Sequence, residues 1–279
     1  MITLCKTCGT SYEVTGAHPE HCDICLDERQ YVPTSGQKWI DFDTLCASHT
    51  NKWKQHDSTL LSIRTVPDFA IDQRAFLVRT PEGNILWDCI ATLDDATKTL
   101  ITSLGGLKAI AISHPHYYTT MQDWAAEFNA PIYLHASDRR WVMRDSPWIR
   151  FWDGDTIELT RDVTMIRLGG HFAGGCVLHW ARDEGVVLSG DIVQVTPGAH
   201  AVSFMWSYPN MLPLPAATVS DIIQRLRTVK FKQLYGAFEG KDITQNADEI
   251  VRRSGEKYIS CLKKTGSLFT NHAQESKNG

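Results

Sequence analysis

Three apolar runs of strand length in this chain each end in side chains that bind metals well. A strand of a rigid sheet holds the residues at its end in a fixed place, so these side chains can be presented as one group. Imidazole and carboxylate groups are ligands that both zinc and iron accept. We therefore expect a metal site at one edge of a sheet. The runs and the residues that follow them are 107–112 with His114 and His116, 163–168 with His171, and 186–190 with Asp191.

Four of the eight cysteines lie in two C-x-x-C pairs near the N-terminus. Two such pairs can close a tetrahedral zinc site, and a segment this short has too little apolar surface to fold without one. Rubredoxin-like iron is the alternative metal. The alternatives to a metal site are two disulfides, which would suit a secreted protein, and free thiols in a disordered arm. We predict a structural knuckle over residues 1–33, similar to zinc-ribbon and rubredoxin-like knuckles. Its predicted ligands are Cys5, Cys8, Cys22 and Cys25.

The composition favours a globular protein without a nucleic-acid or membrane partner. The chain has 279 residues and is 43% hydrophobic, enough for one large domain and a small appendage. The net charge is −4, and no long basic run suggests nucleic-acid binding. No apolar stretch has membrane-spanning length, and the N-terminus is not typical of a signal peptide. We expect a cytoplasmic protein that acts on a small molecule; its oligomeric state stays open, with a homodimer among the alternatives.

From about residue 34 onward, each half of the chain begins with strands and continues with alternating strands and helices. Two sheets packed together with helices outside fit this order, which is a four-layer αβ/βα sandwich of the α+β class. We predict one such domain over residues 34–279, with a frayed tail after Ser267. Strands are predicted at 60–66, 75–79, 85–88, 107–112, 131–135, 154–159, 163–168, 176–180, 185–188 and 231–235, and helices at 93–104, 119–128, 215–229 and 243–262.

Four short stretches resemble, in order and spacing, the motifs of the metallo-β-lactamase fold superfamily. The resemblance covers nearly all of the chain after the knuckle, and four motifs in the right order are specific. It implies the αβ/βα fold and a hydrolase-type metal site. The stretches are the strand that ends in Asp88, Ser113-His114-Pro115-His116 for the first half of H-x-H-x-D-H, Gly170-His171-Phe172-Ala173-Gly174 for G-H-x-x-G, and Ser189-Gly190-Asp191 for the strand that ends in the metal-bridging aspartate.

The chain departs from the superfamily pattern at the second metal. Tyr118 stands where H-x-H-x-D-H has its aspartate, and Thr119 stands where the motif has its last histidine. Residues 236–240 read Gly-Ala-Phe-Glu-Gly near the place of the superfamily's Gly-His-Gly turn. The resemblance therefore implies one metal. Its ligands would be His114, His116 and His171, with Asp191 remaining from the bridging position.

The surviving residues suggest zinc-dependent hydrolysis. Three imidazoles and an open position form a catalytic zinc arrangement, in which bound water has a pKa of about 7 and can attack an ester, thioester, lactone or amide. We expect Asp191 to bind the metal or hold the water, and Tyr117 or Tyr118 to donate to the developing oxyanion. Glu239 is a candidate acid or base, and His200 is a candidate for the substrate pocket. The alternatives are packing for the tyrosines and a solvated loop for Glu239.

Two other functions stay open. A degenerate histidine site would make the chain a non-catalytic metal-binding or regulatory protein, and iron would make it a redox protein with a rubredoxin-like knuckle. Metal analysis separates the three. Zinc at both sites favours the hydrolase, zinc in the knuckle alone favours the regulatory protein, and iron with visible absorbance favours the redox protein.

Overall fold

Residues 1–263 are described in the computed structural model, and their N-terminal part forms a small antiparallel sheet. The elements of this part are β1 (Ile2–Cys5), β2 (Ser11–Glu13), α1 (Asp23–Leu26) and β3 (Trp39–Asp41). Strand β1 lies in the middle and pairs with β2 and β3. Strand β3 completes this sheet but lies after residue 33, so the N-terminal sheet includes residues outside the predicted knuckle of 1–33. The domain boundary at residue 33 stays a prediction.

A seven-stranded mixed sheet forms the first half of the main body. Its strands are β4 (Thr50–Gln55), β5 (Leu60–Val66), β6 (Arg74–Thr80), β7 (Gly83–Trp87), β8 (Ala109–Ala111), β9 (Ile132–His135) and β10 (Ile149–Trp152). They lie side by side in chain order. Pairing is antiparallel from β4 to β7 and parallel from β7 to β10.

A six-stranded sheet forms the second half. The strands from here onward are β11 (Thr156–Thr160), β12 (Val163–Arg167), β13 (Cys176–Trp180), β14 (Val186–Leu188), β15 (Gln194–Val195), β16 (Val202–Ser203), β17 (Met205–Ser207), β18 (Leu212–Pro213), β19 (Gln233–Tyr235) and β20 (Asp242–Ile243). The sheet has the order β11-β12-β13-β14-β19-β20, and β14 pairs with β19 in parallel. The pairs β15-β16 and β17-β18 are separate short ribbons.

Helices cover the outer faces of the two large sheets, and α2 (Phe42–Ser48) packs on the small N-terminal sheet. The helices on the large sheets are α3 (Asp95–Ser103), α4 (Met121–Phe128), α5 (Ala216–Leu226) and α6 (Ala247–Lys263), and 3₁₀ turns lie at Pro115–Tyr117 and Ala136–Trp141. Helices α3 and α4 share a core with the first sheet, and α5 and α6 share one with the second. Within residues 1–263, no helix is both long and apolar enough to cross a membrane.

The central strands of the first sheet are apolar on both faces because both faces are covered. Successive strand residues point to opposite faces. In β6, Phe76 and Val78 join a core that includes Met165 and Leu178 of the second sheet. Their neighbour Leu77 joins the core beneath α3 and α4 instead. This packing is the predicted αβ/βα sandwich, so the fold class is confirmed.

Most predicted elements occur close to their predicted ranges. The elements that the sequence did not predict include strands β4, β10 and β20 and helix α2. Strand β4, for example, has one apolar residue, Trp53, and otherwise polar ones. The last helix begins at Ala247 instead of Ile243. The frayed tail predicted after Ser267 lies outside the described residues.

Candidate metal centre

The predicted ligands of the histidine site all follow strand ends at one rim of the sandwich. His114 and His116 come after β8, His171 comes after β12, and Asp191 comes after β14. Gly190 has a φ of +52°, and a Cβ there would lie 2.7 Å from the Cβ of Ser113. The chain therefore needs glycine at this place, since the loops that carry the aspartate and the first histidine touch.

These four side chains converge, and we call them the histidine cluster. One ligand atom from each lies within 4.8 Å of the others. Nε2 of His171 is 3.3 Å from Nδ1 of His116, and Nε2 of His114 is 3.8 Å from a carboxylate oxygen of Asp191. Their exposed fractions are only 1% for His114, 2% for His116, 1% for His171 and 6% for Asp191.

Neighbouring groups fix the imidazoles in a form that can bind a metal. Nδ1 of His171 donates to the backbone oxygen of Trp206 at 2.7 Å, so its Nε2 carries a free lone pair. Nδ1 of His114 lies 2.8 Å from the hydroxyl oxygen of Ser113. Burial lowers the pKa of His171 to about 4 and also lowers the pKa of His114. These rings are therefore neutral at pH 7, as metal ligands must be.

Several buried atoms of the cluster have no other partner. Within the described residues, Nε2 of His114 and Oδ1 of Asp191 make no hydrogen bond. Buried polar atoms are normally paired, so such atoms require an explanation. Two nitrogens bound to one tetrahedral zinc at about 2.05 Å lie about 3.3 Å apart. Nδ1 of His116 and Nε2 of His171 are separated by this distance, 3.3 Å. Three imidazoles and one carboxylate fit a divalent ion.

The four N-terminal cysteines of the two C-x-x-C pairs form a second group, which we call the cysteine cluster. Sγ of Cys5 is 3.6 Å from Sγ of Cys25, Sγ of Cys8 is 3.5 Å from Sγ of Cys22, and none of these thiols is in a disulfide. Two sulfurs on one tetrahedral zinc lie about 3.8 Å apart, whereas a disulfide would place them about 2.05 Å apart. Gln37 donates to the sulfur of Cys5 at 3.0 Å, which favours a thiolate.

Comparison with known families agrees with this geometry. A family model described as the metallo-beta-lactamase superfamily matches residues 70–220, which is more than half of the chain. The chain belongs to the metallo-beta-lactamase superfamily. The matched range of this metallo-beta-lactamase superfamily member contains the whole histidine cluster and none of the cysteine cluster.

Three individual proteins resemble this superfamily member. The uncharacterized protein YmaE of Bacillus subtilis (strain 168) is 45% identical over 264 residues, which are 93% of this chain and 96% of YmaE. FIM-1 from Pseudomonas aeruginosa, in its mono-zinc form, has a TM-score of 0.54 at 14% identity over 75% of this chain and 96% of its own. The chemotaxis sensor ODP, as a peroxy diiron species, has a TM-score of 0.53 at 18% identity over 76% and 99%. At these identities the two solved structures show a shared fold only.

Tyr117 and Tyr118 are both buried in the same apolar core, and only Tyr117 has a ring contact with the histidine cluster among the described residues. The ring of Tyr117 lies 4.4 Å from the ring of His114. The hydroxyl of Tyr117 makes no well-formed hydrogen bond with a described residue. It is nevertheless near enough to Asp191 to lower the pKa of that carboxyl group. Burial outweighs this contact and raises the pKa of Asp191 to about 7. Tyr118 packs in an apolar core that also contains Ala237. In this superfamily member, Tyr118 and Thr119, which stand at the positions of the motif's last aspartate and histidine, are both buried.

Glu239 and His200 are not brought into the histidine cluster. Glu239 is partly exposed and pairs with Lys52 at 3.1 Å and with Arg64 at 3.5 Å. His200 is exposed in the turn between β15 and β16. The roles predicted for the two residues stay predictions, and neither has a contact with the cluster that supports them.

Arg29 is a residue of the site that the sequence did not predict. It lies beyond the cysteine cluster in sequence, and its guanidinium donates to the backbone oxygen of His171 at 3.2 Å. Its side chain is 5% exposed and covers the ring of Phe172. An arginine four residues after a C-x-x-C pair carries no recognisable signal, because its partner lies 142 positions away.

Proposed function

We propose that this protein is a metal-dependent hydrolase with one zinc ion in the histidine cluster, acting on a small-molecule ester, thioester, lactone or amide. The observation that carries the proposal is the set of buried ligand atoms without another partner, Nε2 of His114 and Oδ1 of Asp191 among them. A zinc ion supplies Lewis-acid chemistry at such a site, since it polarises a carbonyl oxygen and lowers the pKa of water to about 7.

The protein groups around the cluster would orient its ligands and handle protons. The carbonyl oxygen of Trp206 holds His171 in one tautomer, which leaves Nε2 turned toward the cluster. Asp191 has one carboxylate oxygen free to bind the ion or to accept a proton from water. The hydroxyl of Tyr117 is the nearby donor for an oxyanion that develops on the substrate.

The burial of the cluster favours a second candidate function, metal binding without catalysis. If all four side chains bind one ion, a tetrahedral site is complete and leaves no position for substrate. The cluster is covered by aromatic rings, and those of Phe172 and Tyr208 lie 5.1 Å and 5.7 Å from the ring of His171. For hydrolysis, this cover must move or one ligand must be exchangeable.

Metal analysis of the purified protein tests the metal assignment. We expect two equivalents of zinc in the wild type and one in His116→Ala, with the metal of the cysteine cluster retained. His200→Ala is the matched control and should keep both equivalents, because this histidine is exposed outside the cluster. Unchanged stoichiometry in His116→Ala refutes the histidine site. Iron with visible absorbance in place of zinc supports the redox alternative.

Cobalt substitution followed by substrate screening separates catalysis from closed metal binding. A site with an exchangeable position changes its visible spectrum when azide is added, whereas a site closed by four protein ligands does not. A hydrolase should cleave at least one compound of an ester, thioester and lactone panel, at a rate that rises with pH near 7. A rate that is flat from pH 5 to 9 counts against activated water.

The N-terminal unit is proposed to be structural. Its four thiols are buried and surrounded by protein donors, so a metal held there has no open position for substrate.

None of the eight cysteines, which all lie within the described residues, forms a disulfide, and this agrees with the proposed cytoplasmic location. A small molecule remains the proposed partner.

A further inference from the structure

A short segment leaves the cysteine cluster and crosses over the histidine cluster. Residues 27–30, which we call the strap, directly follow α1, the helix that carries Cys25. Arg29 and Gln30 of the strap are buried, although the chain around them is a connection without regular structure. Connecting segments normally run over the surface, so a buried arginine in one has a specific set of partners.

The partners of Arg29 belong to the histidine cluster and its cover. The guanidinium donates to the backbone oxygen of His171 at 3.2 Å and lies 3.9 Å from the ring centre of Phe172. It also lies 4.6 Å from the ring centre of Trp206. Asp27 accepts from Nη2 of Arg29 at 2.8 Å, which balances the positive charge beside a site built for a cation.

The strap is also bound to the ribbon that orients His171. The hydroxyl of Ser207 donates to the backbone oxygen of Arg29 at 3.1 Å, and the indole of Trp206 donates to Glu28 at 2.9 Å. The side-chain amide of Asn210 donates to the backbone oxygen of Glu28 at 3.0 Å. The carbonyl oxygen of Trp206 accepts from Nδ1 of His171. The strap therefore holds His171 in two ways, by the hydrogen bond of Arg29 to the backbone oxygen of His171 and by its bonds to the ribbon that carries Trp206.

We propose that Arg29 is a positioning residue of the histidine cluster, through which the strap fixes His171 and keeps the bound metal enclosed. The inference rests on the proposed metal at this cluster. Residues that orient metal ligands typically change metal affinity about 10- to 100-fold when they are lost. Arg29 contacts the backbone oxygen of His171 and the ring of Phe172. Loss of Arg29 therefore releases both the ligand His171 and the ring that covers it.

The test is the rate at which zinc leaves each site when a chromogenic chelator is added in excess. The phase that His116→Ala abolishes is assigned to the histidine cluster. Arg29→Met keeps the apolar stem and removes the guanidinium, and we expect it to accelerate this phase about 10- to 100-fold. The phase in which the cysteine cluster releases its zinc should keep its wild-type rate in Arg29→Met. Arg29→Lys should restore part of the slow release, because it restores the charge without the planar fork.

Two further variants keep the test decisive. Arg140→Met is the matched control, because both arginines stack on the ring of Trp141, Arg29 at 5.2 Å and Arg140 at 4.3 Å, but Arg140 is exposed. Asp27→Asn combined with Arg29→Met avoids leaving a partly buried carboxylate unpaired, so it reports on the strap if the single variant does not fold. Faster release in this double variant supports the proposal. Unchanged release overturns it, in Arg29→Met if that variant folds and otherwise in the double variant.

The visible spectrum of the cobalt-substituted protein supplies an independent readout. Displacement of His171 should shift the d–d bands in Arg29→Met and leave them unchanged in Arg140→Met. An unshifted spectrum in Arg29→Met contradicts a positioning role. Absence of a metal phase that depends on His116 would refute the metal site itself, which is an outcome distinct from a metal that is bound but insensitive to Arg29.

Discussion

The imidazole of His171 donates a hydrogen bond from Nδ1 to the backbone carbonyl oxygen of Trp206, 2.7 Å away. A carbonyl oxygen can only accept, so this bond fixes which ring nitrogen carries the proton. Because the acceptor belongs to the backbone of β17, substitution of the Trp206 side chain does not remove it. The tautomer of this ligand is therefore set by the fold.

The tautomer can be measured directly. We expect nitrogen-detected NMR of the zinc-loaded protein to show a proton on Nδ1 of His171 and none on Nε2, with slow exchange of that proton because the ring is buried. His200 is the control, since it is exposed and its ring protons should exchange rapidly. An Nε2–H tautomer of His171 in the loaded protein would contradict the assigned ligand set.

The stability of the zinc-free protein should depend on pH through Asp88. Burial raises the pKa of Asp88 to about 8, although the backbone N–H of Ser113 donates to it at 2.7 Å and opposes the rise. Its unfolded-state pKa is about 3.9. The folded state therefore binds the extra proton between these values, and its contribution to stability is lost as the pH rises from about 4 to 8.

Asp88→Asn isolates this contribution. The amide keeps an acceptor for Ser113, tolerates the φ of +59° and does not ionise. We expect the unfolding free energy of the zinc-free wild type to fall relative to this variant by up to about 1.4 kcal/mol per pH unit between pH 5 and 7. Denaturant titrations at several pH values measure the difference, and parallel curves for the two proteins would show that Asp88 does not titrate.

Loss of the metal from the cysteine cluster should loosen the histidine cluster. The strap begins two residues after Cys25, so its position depends on α1, which the cysteine cluster holds. We expect Cys25→Ser to remove one zinc equivalent and to speed release from the histidine cluster by at least about tenfold. Cys46→Ser is the control, because Cys46 is half-buried outside both clusters. If zinc leaves the histidine cluster at the same rate in Cys25→Ser as in the wild type, the two metal sites are not coupled.

The histidine cluster could be predicted from the sequence, whereas its cover could not. His114, His171 and Asp191 follow strands with clear apolar patterns, and strand ends of a sandwich meet at its rims. Arg29 acquires its role only through tertiary contacts with a loop far along the chain. Local propensity holds no information about such a contact.

Glu239 illustrates the same limit from the other direction. The sequence places it near an altered superfamily turn, which makes it a candidate acid or base. One of its two ion-pair partners, Lys52, lies on β4, whose sequence of two lysines around one tryptophan does not show a buried strand pattern. Lysine is common on edge strands because it discourages pairing with other chains. The ion pair could not be predicted because the strand that carries Lys52 could not.

Gly190→Ala should destabilise the protein by more than Gly198→Ala does. Both glycines have positive φ, at +52° and +84°, but an alanine Cβ at 190 meets the Cβ of Ser113 at 2.7 Å, whereas one at 198 meets no atom nearer than 3.5 Å. Overpacking of this kind costs about 1–3 kcal/mol beyond the shared backbone strain. Urea unfolding measures the difference, and equal losses in the two variants would show that the loops separate easily.

Tyr117→Phe separates a catalytic role from a structural one. The tyrosine hydroxyl is buried without a hydrogen-bond partner among the described residues, so its removal should leave the unfolding free energy unchanged or raise it. If it donates to an oxyanion, kcat on a cleaved substrate should fall about 100-fold or more, with little change in KM and both zinc equivalents retained. Tyr118→Phe, in the apolar core, is the control and should keep kcat. An unchanged kcat in Tyr117→Phe would assign Tyr117 to packing, because a donor that acts only in the transition state cannot be removed without slowing the reaction.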